Sequence, residues 1–330
     1  MANGRVLSEN NIDRITDEKL KNAPPYVSEW NKVMKASRKT AATRRDYIVK
    51  VCNFLRYISD KENIRNLDVS VITKENVIDY MISIQTKKTE NGTTYTSDSY
   101  QYTVWCCLNC FFEYLLKNNM IKENYILDVD RHGIHDLDRI NEHRMRLTVD
   151  DIHKILATIR TEKDAFYSKR DYAMVMLLIN TGMRETALAY LQTSDFDFEN
   201  KKLTVIDKGY KRHVYTLNES TIDSINDWLK KRKYYAPENL TGMFISKEGE
   251  QITNFTVMNV TKKYSIKSLG YRVSPHKFRS AFCSMLYDKT HDIEFCRRAV
   301  GHSSSETTQR YIVTKEDPTK KASEILENLI

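Results

Sequence analysis

Four short segments in the C-terminal half of this 330-residue sequence hold strongly polar residues among apolar or small ones. They are Asn180-Thr181-Gly182-Met183-Arg184, Asp207-Lys208-Gly209, Ser274-Pro275-His276-Lys277-Phe278-Arg279, and Gly301-His302 with Tyr311 further on. Together they contain what cutting a phosphodiester without metal or nucleotide requires: an oxygen nucleophile, cations for the extra negative charge of the pentacoordinate state, and a proton for the leaving 5′ oxygen. Arg184 and Arg279 carry planar forks that match two non-bridging oxygens, a task for which lysine is a poorer substitute. Lys208, at a hairpin tip, can donate a proton to the departing oxygen, the more readily if nearby arginines lower its pKa. His276 stands three residues before Arg279, so on a helix the two side chains address one spot. His302 can donate a hydrogen bond to a phosphate oxygen, and the Tyr311 hydroxyl is the candidate nucleophile.

Read singly, each residue has an ordinary explanation. Arg184 suits a helix end, where a cation meets the negative pole of the dipole. A lone histidine is more often a surface or core residue, Tyr311 is one of 20 tyrosines, and a basic hairpin turn is common at a sheet edge. The combination is what carries weight. In this order and at these separations the segments resemble the tyrosine recombinase/phage integrase family, whose pattern runs Arg, Lys, His-x-x-Arg, Gly-His and finally Tyr.

That resemblance implies a DNA-cutting enzyme in which Tyr311 forms a 3′-phosphotyrosyl bond, Arg184 and Arg279 clamp the phosphate, Lys208 is the general acid, His276 assists removal of the tyrosine proton and His302 binds a phosphate oxygen. A 5′-hydroxyl from another strand then reverses the step, so no cofactor, metal or ligase is implied. Lys208 ranks above Lys211 because family members place the lysine directly before the turn glycine, here Gly209. The match departs where many relatives carry a Glu three residues after the first arginine, since Ala187 stands there, and Glu185 receives no role. Asp195 occupies the acidic position that precedes the first strand in relatives and is expected to be structural.

The elements that must position these residues follow from periodicity. Residues 1–35, with Pro24-Pro25 and no sustained period, are expected to form a tail or loosely docked arm. Tyr47, Val51, Phe54, Leu55 and Ile58 recur at helical spacing, with Arg44, Arg45 and Lys50 on other faces, which predicts an amphipathic helix with a basic side able to contact DNA phosphates or simply to face solvent. Thr73 caps a second helix, with Val77, Tyr80, Met81 and Ile84 on one stripe, and Tyr100, Val104, Cys107, Leu108, Phe111 and Leu115 mark a third. Residues 36–118 thus read as an all-helical domain, which looks like the family's core-binding domain.

The charged stretch 119–146, crowded with Arg131, His132, His135, Arg139, His143, Arg144 and Arg146, reads as an interdomain linker. Thr148 and Asp151 stand at capping-box spacing before another helix, and residues 172–180 continue as one. Leu203, Val205 and the run Val214 to Leu217 predict a β-hairpin with Lys208, Gly209, Lys211 and Arg212 in its turn. Lys211 and Arg212 are candidate DNA contacts. The fold class expected is mainly α with a small antiparallel β-sheet: the helical domain, then an α+β catalytic domain at 147–313, and a tail helix at 314–330 that docks on its own domain or on a neighbouring protomer.

Composition agrees with a polyanionic partner or an anionic membrane surface, and the second is set aside because no amphipathic basic helix supports it. Fifty-two Lys and Arg face 44 Asp and Glu, a net charge of +8. No apolar run approaches the ~18 residues of a membrane span, and the first residues are too polar for a secretory signal, so a cytoplasmic, nucleoid-associated protein is expected. The six cysteines sit in apolar helical patterns and read as reduced core residues, not zinc ligands. The partners implied are double-stranded DNA with two inverted sites, further copies of the chain in a tetramer on that DNA, and a directionality factor. Two rivals are a type IB topoisomerase, against which His276 and the tail beyond Tyr311 argue, and a catalytically silent DNA-binding protein on the same scaffold. A mobile-element integrase is the expected role, because the sequence departs from the compact Xer-type pattern and has an extra N-terminal stretch.

Overall fold

The computed structural model describes residues 4–65, 67–89, 92–130, 147–206 and 212–301. The chain divides into two compact units, Met1–His143 and Arg144–Ile330.

Among the described residues the first unit has five α-helices: α1 (Gly4–Leu20), α2 (Pro25–Ala36), α3 (Ala41–Glu62), α4 (Lys74–Ser83) and α5 (Asp98–Lys117). Hydroxyl caps start three of them. Thr40 accepts from the Thr43 amide at 3.3 Å, Thr73 from Asn76 at 3.2 Å and Ser97 from Tyr100 at 3.2 Å, each satisfying an otherwise orphaned donor. The stripes expected on α3, α4 and α5 meet in one core of Ile48, Val51, Phe54, Ile58, Val77, Leu108, Phe111 and Leu115. Tyr100 is the exception, lying 40% exposed in the first turn of α5.

Two expectations are corrected here. The N-terminal stretch is not a loose arm: α2 buries Tyr26, Val27, Trp30 and Met34 in the domain core, with the Trp30 and Phe111 rings 5.0 Å apart. Pro25 opens that helix, a position where its missing N–H is no loss. Nor is the domain all-helical, since β1 (Thr86–Thr89) and β2 (Gly92–Tyr95) pair antiparallel between α4 and α5. The Asn91-Gly92 dipeptide between runs of Thr, Lys and Tyr is the sequence signal that could have found this hairpin. The domain also extends past residue 118: Ile126 is fully buried and the Trp105 indole donates to the Val129 carbonyl at 2.9 Å.

The second unit begins with α6 (Val149–Arg160), whose start is the expected capping box, Thr148 and Asp151 each bonding the other's amide at 3.1 and 2.9 Å. Next come α7 (Ala165–Thr181), α8 (Glu185–Ala189), and a three-stranded antiparallel sheet of β3 (Phe196–Asp197), β4 (Lys202–Ile206) and β5 (Arg212–Thr216) in that order. The sheet adds one short strand to the expected hairpin. Four helices follow among the described residues: α9 (Glu219–Arg232), α10 (Asn254–Leu269), α11 (Pro275–Thr290) and α12 (Ile293–Val300). Its core gathers Ile155, Phe166, Met174, Leu203, Val205, Ile225, Trp228, Phe244 and Phe278 around α7, the most thoroughly buried helix. The fold class is therefore as expected: mainly helical, with small antiparallel sheets.

Candidate active site

Arg184 stands at the N-cap of α8, half-buried, just past the left-handed Gly182 (φ +60°) that ends α7. Gly182 is required twice over. Its φ disfavours a side chain, and a Cβ would meet the Phe282 ring of α11 at 2.7 Å. The segment before it is pinned by side chains: Thr181 Oγ1 donates to the Leu177 carbonyl at 2.6 Å and accepts from the Met183 amide at 3.2 Å. Asn180 accepts from the Asn218 amide group at 2.8 Å. Arg184 therefore leaves a backbone whose course is closely determined.

Arg279 lies on α11 and is 2% exposed. Its guanidinium donates to the Gly182 carbonyl at 2.6 Å and to the Val300 carbonyl at 2.9 Å. One side chain thus joins three of the polar segments: its own His276-x-x-Arg279 motif, the segment that ends in Arg184, and the end of α12 that leads into Gly301-His302. Arginine is the residue able to do this, because its rigid fork presents donors in several directions and stays protonated when buried. His276, in the first turn of α11 behind Ser274 and Pro275, is exposed. One turn beyond Arg279, burial pushes the Cys283 thiol up to about 11 against the opposing pull of the Arg279 charge, so it stays a neutral core residue.

Gly301 caps α12 at φ +70°, and a Cβ there would stand 3.2 Å from Nδ1 of His213 on β5. His213 was not among the expected site residues. Its signal is a polar residue in the inward-facing row of a strand, opposite Val205, where the pattern calls for an apolar side chain. Lys208, Lys211, His302 and Tyr311 lie outside the described residues. Asp195 behaves as expected of a structural carboxylate, accepting from the Gln192 amide at 2.7 Å immediately before β3, and its burial raises its pKa.

The expected basic side of α3 is corrected. Arg44 and Lys50 are buried, not solvated: Arg44 pairs with Asp13 of α1 and donates to the Lys39 carbonyl at 2.6 Å, and Lys50 pairs with Asp46 one turn earlier. Packing of α1 against α3 covers Arg44, and Lys50 lies near Cys107 of α5, neighbours that the period of α3 alone could not reveal. Arg45 remains exposed, and Arg212 is the exposed first residue of β5, not a turn residue. All six cysteines are free thiols, three of them buried. Among the described residues no helix is long and apolar enough to cross a membrane.

Comparison with known proteins identifies a family. Residues 145–317 match the phage integrase family model. Over 316 residues, 91% of this chain and 86% of the relative, the sequence is 25% identical to tyrosine recombinase XerC of Caldanaerobacter subterraneus, and over 191 residues, 56% of this chain and 63% of the relative, 31% identical to tyrosine recombinase XerA of Pyrococcus furiosus. The fold resembles that of XerH site-specific recombinase bound to a palindromic difH substrate, with a TM-score of 0.70 over 91% of this chain and 85% of that one, at 21% identity. It also resembles the Tn1549 transposon integrase in complex with transposon right-end DNA, with a TM-score of 0.66 over 92% and 99%, at 18% identity. The chain belongs to the phage integrase family and is a tyrosine-type site-specific DNA recombinase, an enzyme that cleaves and rejoins DNA strands.

Proposed function

We propose that the chain cleaves one strand at each of two inverted recognition sites through a 3′-phosphotyrosyl bond at Tyr311 and exchanges strands through a Holliday junction. The observation that carries this reading is Arg279, which bonds the Gly182 carbonyl two residues before Arg184 and the Val300 carbonyl next to Gly301. Two guanidinium groups near one phosphate stabilise the charge that develops on its non-bridging oxygens, in an interior where such interactions are stronger than in water. The Tyr311 oxygen attacks phosphorus while the bond to the 5′ oxygen breaks. The tyrosine proton leaves with help from His276, the 5′ oxygen takes a proton from Lys208, and His302 donates a hydrogen bond to the phosphoryl group. The diester linkage is kept, so a second 5′-hydroxyl reverses the step without nucleotide.

Arg45, Lys211 and Arg212 are proposed phosphate contacts, supported for Arg45 and Arg212 by their exposure. Four protomers act together on two DNA sites, with the tail after residue 313 linking neighbours. A mobile-element integrase, helped by a directionality factor, is supported by likeness to a transposon integrase over 99% of that chain. A Xer-type recombinase is the second reading, favoured by likeness to XerC along 91% of this chain.

The test is incubation with nicked suicide duplexes taken from the ends of the element that encodes the chain, in EDTA. Wild-type protein is expected to form a denaturation-resistant protein–DNA adduct and Tyr311→Phe none. Absence of the adduct, or its persistence in the phenylalanine variant, refutes the reading. A tailless variant ending at residue 313 that still assembles four protomers on DNA would refute the role given to the tail.

A further inference from the structure

The inward face of the three-stranded sheet shows one departure from its pattern. Leu203, Val205 and Tyr215 are buried against the core, and antiparallel register pairs Leu203 with Tyr215 and Val205 with His213. Cross-strand partners share a face, so His213 occupies the first inward position of β5, at the end of the strand nearest β4's Ile206. A polar, half-buried ring stands where a valine or leucine would serve the core.

What that ring touches is specific. On one side it meets Tyr215, edge to face, with centroids 4.4 Å apart. On the other it lies against Gly301, where Nδ1 would be 3.2 Å from any Cβ. The glycine of the Gly-His motif thus has a second reason to be glycine besides its left-handed backbone: a side chain there would press on the His213 ring.

The two sides of this contact are not equally anchored. The Gly301 turn is held from elsewhere, by Arg279 on the Val300 carbonyl at 2.9 Å and by its own amide on the Arg298 carbonyl at 3.2 Å. Around the outer end of the hairpin, Ile206, Arg212 and Val214 are exposed, and His213 is the inward residue there. The anchored object is the turn, and the braced object is the hairpin.

We infer that His213 is a positioning residue for strand cleavage: it seats the β4–β5 hairpin on the Gly301 turn and so sets where the hairpin presents Lys208. This rests on the role of Lys208 as proton donor to the leaving 5′ oxygen proposed above. His213 itself touches neither DNA nor the reacting atoms in this assignment. A brace of this kind matters because a proton donor displaced by about 1 Å can lose ~100-fold in rate, while general acid catalysis as a whole contributes roughly 10²–10⁴-fold.

The leaving group provides the test. In a suicide duplex whose scissile 5′ bridging oxygen is replaced by sulfur, the departing group is a thiolate, the conjugate base of a thiol of pKa about 8.5, and it leaves without a donated proton. Single-turnover adduct formation is measured on oxygen and sulfur duplexes for wild type, His213→Ala, His213→Phe, Gly301→Ala and Lys208→Ala, with thermal unfolding of each.

The expected result is that His213→Ala slows cleavage of the oxygen duplex by ~10-fold or more and of the sulfur duplex by less than about threefold, matching the direction of the Lys208→Ala split. Gly301→Ala, which pushes on the ring from the other side, gives the same kind of split. His213→Phe keeps ring volume and separates packing from hydrogen bonding: oxygen-duplex cleavage closer to wild type than that of His213→Ala assigns the brace to shape. If a folded His213→Ala protein cleaves both duplexes at wild-type rates, or is slowed equally on both, the inference is overturned. Failure of wild type to form any adduct refutes the underlying recombinase mechanism instead. A normal oxygen-to-sulfur ratio in Lys208→Ala removes the proton-donor role on which the brace depends.

Discussion

Arg279 is a structural tie as well as the proposed phosphate clamp. Its fork is bonded to the carbonyls of Gly182 and Val300 in the interior, so the charge that would face a phosphate is held in place before DNA arrives. Replacement by alanine strands two buried acceptors, at about 1–3 kcal/mol each. Arg279→Ala is therefore expected to lower the melting temperature as well as abolish adduct formation, and thermal unfolding beside an adduct assay would separate the two losses. Unchanged melting would contradict the tie. Arg44 makes the opposite point. It belongs to the ion pair with Asp13, and Arg44→Ala is expected to destabilise the first unit while leaving the salt dependence of DNA binding as it was.

At the level of elements, α1 and α2 are part of the domain. The α2 helix inserts Trp30, 2% exposed, against Phe111, and truncating a buried aromatic typically costs about 3–5 kcal/mol. Trp30→Ala should shift chemical denaturation of the first unit by that order; a loosely docked arm would give no shift. In the second unit, α10 is tied to the loop after α6 through Lys263 and Glu162 at 2.6 Å, with the Tyr264 hydroxyl bridging Glu162 and Asp171.

The Lys263 hydrogen bond holds the Glu162 carboxyl below its ordinary range. A depressed carboxylate contributes stability that is complete above its unfolded pKa, 4.5, and is lost as pH falls through the lower folded value. Glu162→Gln should therefore be less stable than wild type at neutral pH and converge on it below that window. Melting curves recorded from pH 7 down to about 3 would show the convergence. Parallel curves would mean that the pair contributes nothing. Burial raises the pKa of Asp171, so this neighbour acts in the opposite direction, and only the difference between variant and wild type reports on Glu162.

For the whole molecule, a net charge of +8 makes association with DNA depend on salt, because each neutralised phosphate releases condensed counterions. The dependence should come from exposed cations such as Arg45 and Arg212, not from the paired Arg44 and Lys50. Arg45→Ala is expected to reduce the slope of log K against log salt by about 0.9 and to leave stability within ~0.5 kcal/mol. Titrations of duplex DNA across a salt series would check it. A slope unchanged in Arg45→Ala but reduced in Lys50→Ala would reverse the assignment of the basic surface.

By itself the order of residues determined the family pattern, the capped helices of both units and the hairpin that follows Asp195, because caps, periods and turn residues act over a few positions and are written locally. Tertiary structure alone decided which cations are free to meet DNA. The period of α3 sets Arg44 and Lys50 apart from its apolar stripe, yet nothing in that period says that α1 will bring Asp13 against Arg44. It decided equally that Arg279 would bond Gly182 and Val300, and that His213 would rest on Gly301. Such contacts join positions 21 to 97 residues apart, and a repeat within one element specifies which side is apolar without specifying what packs there.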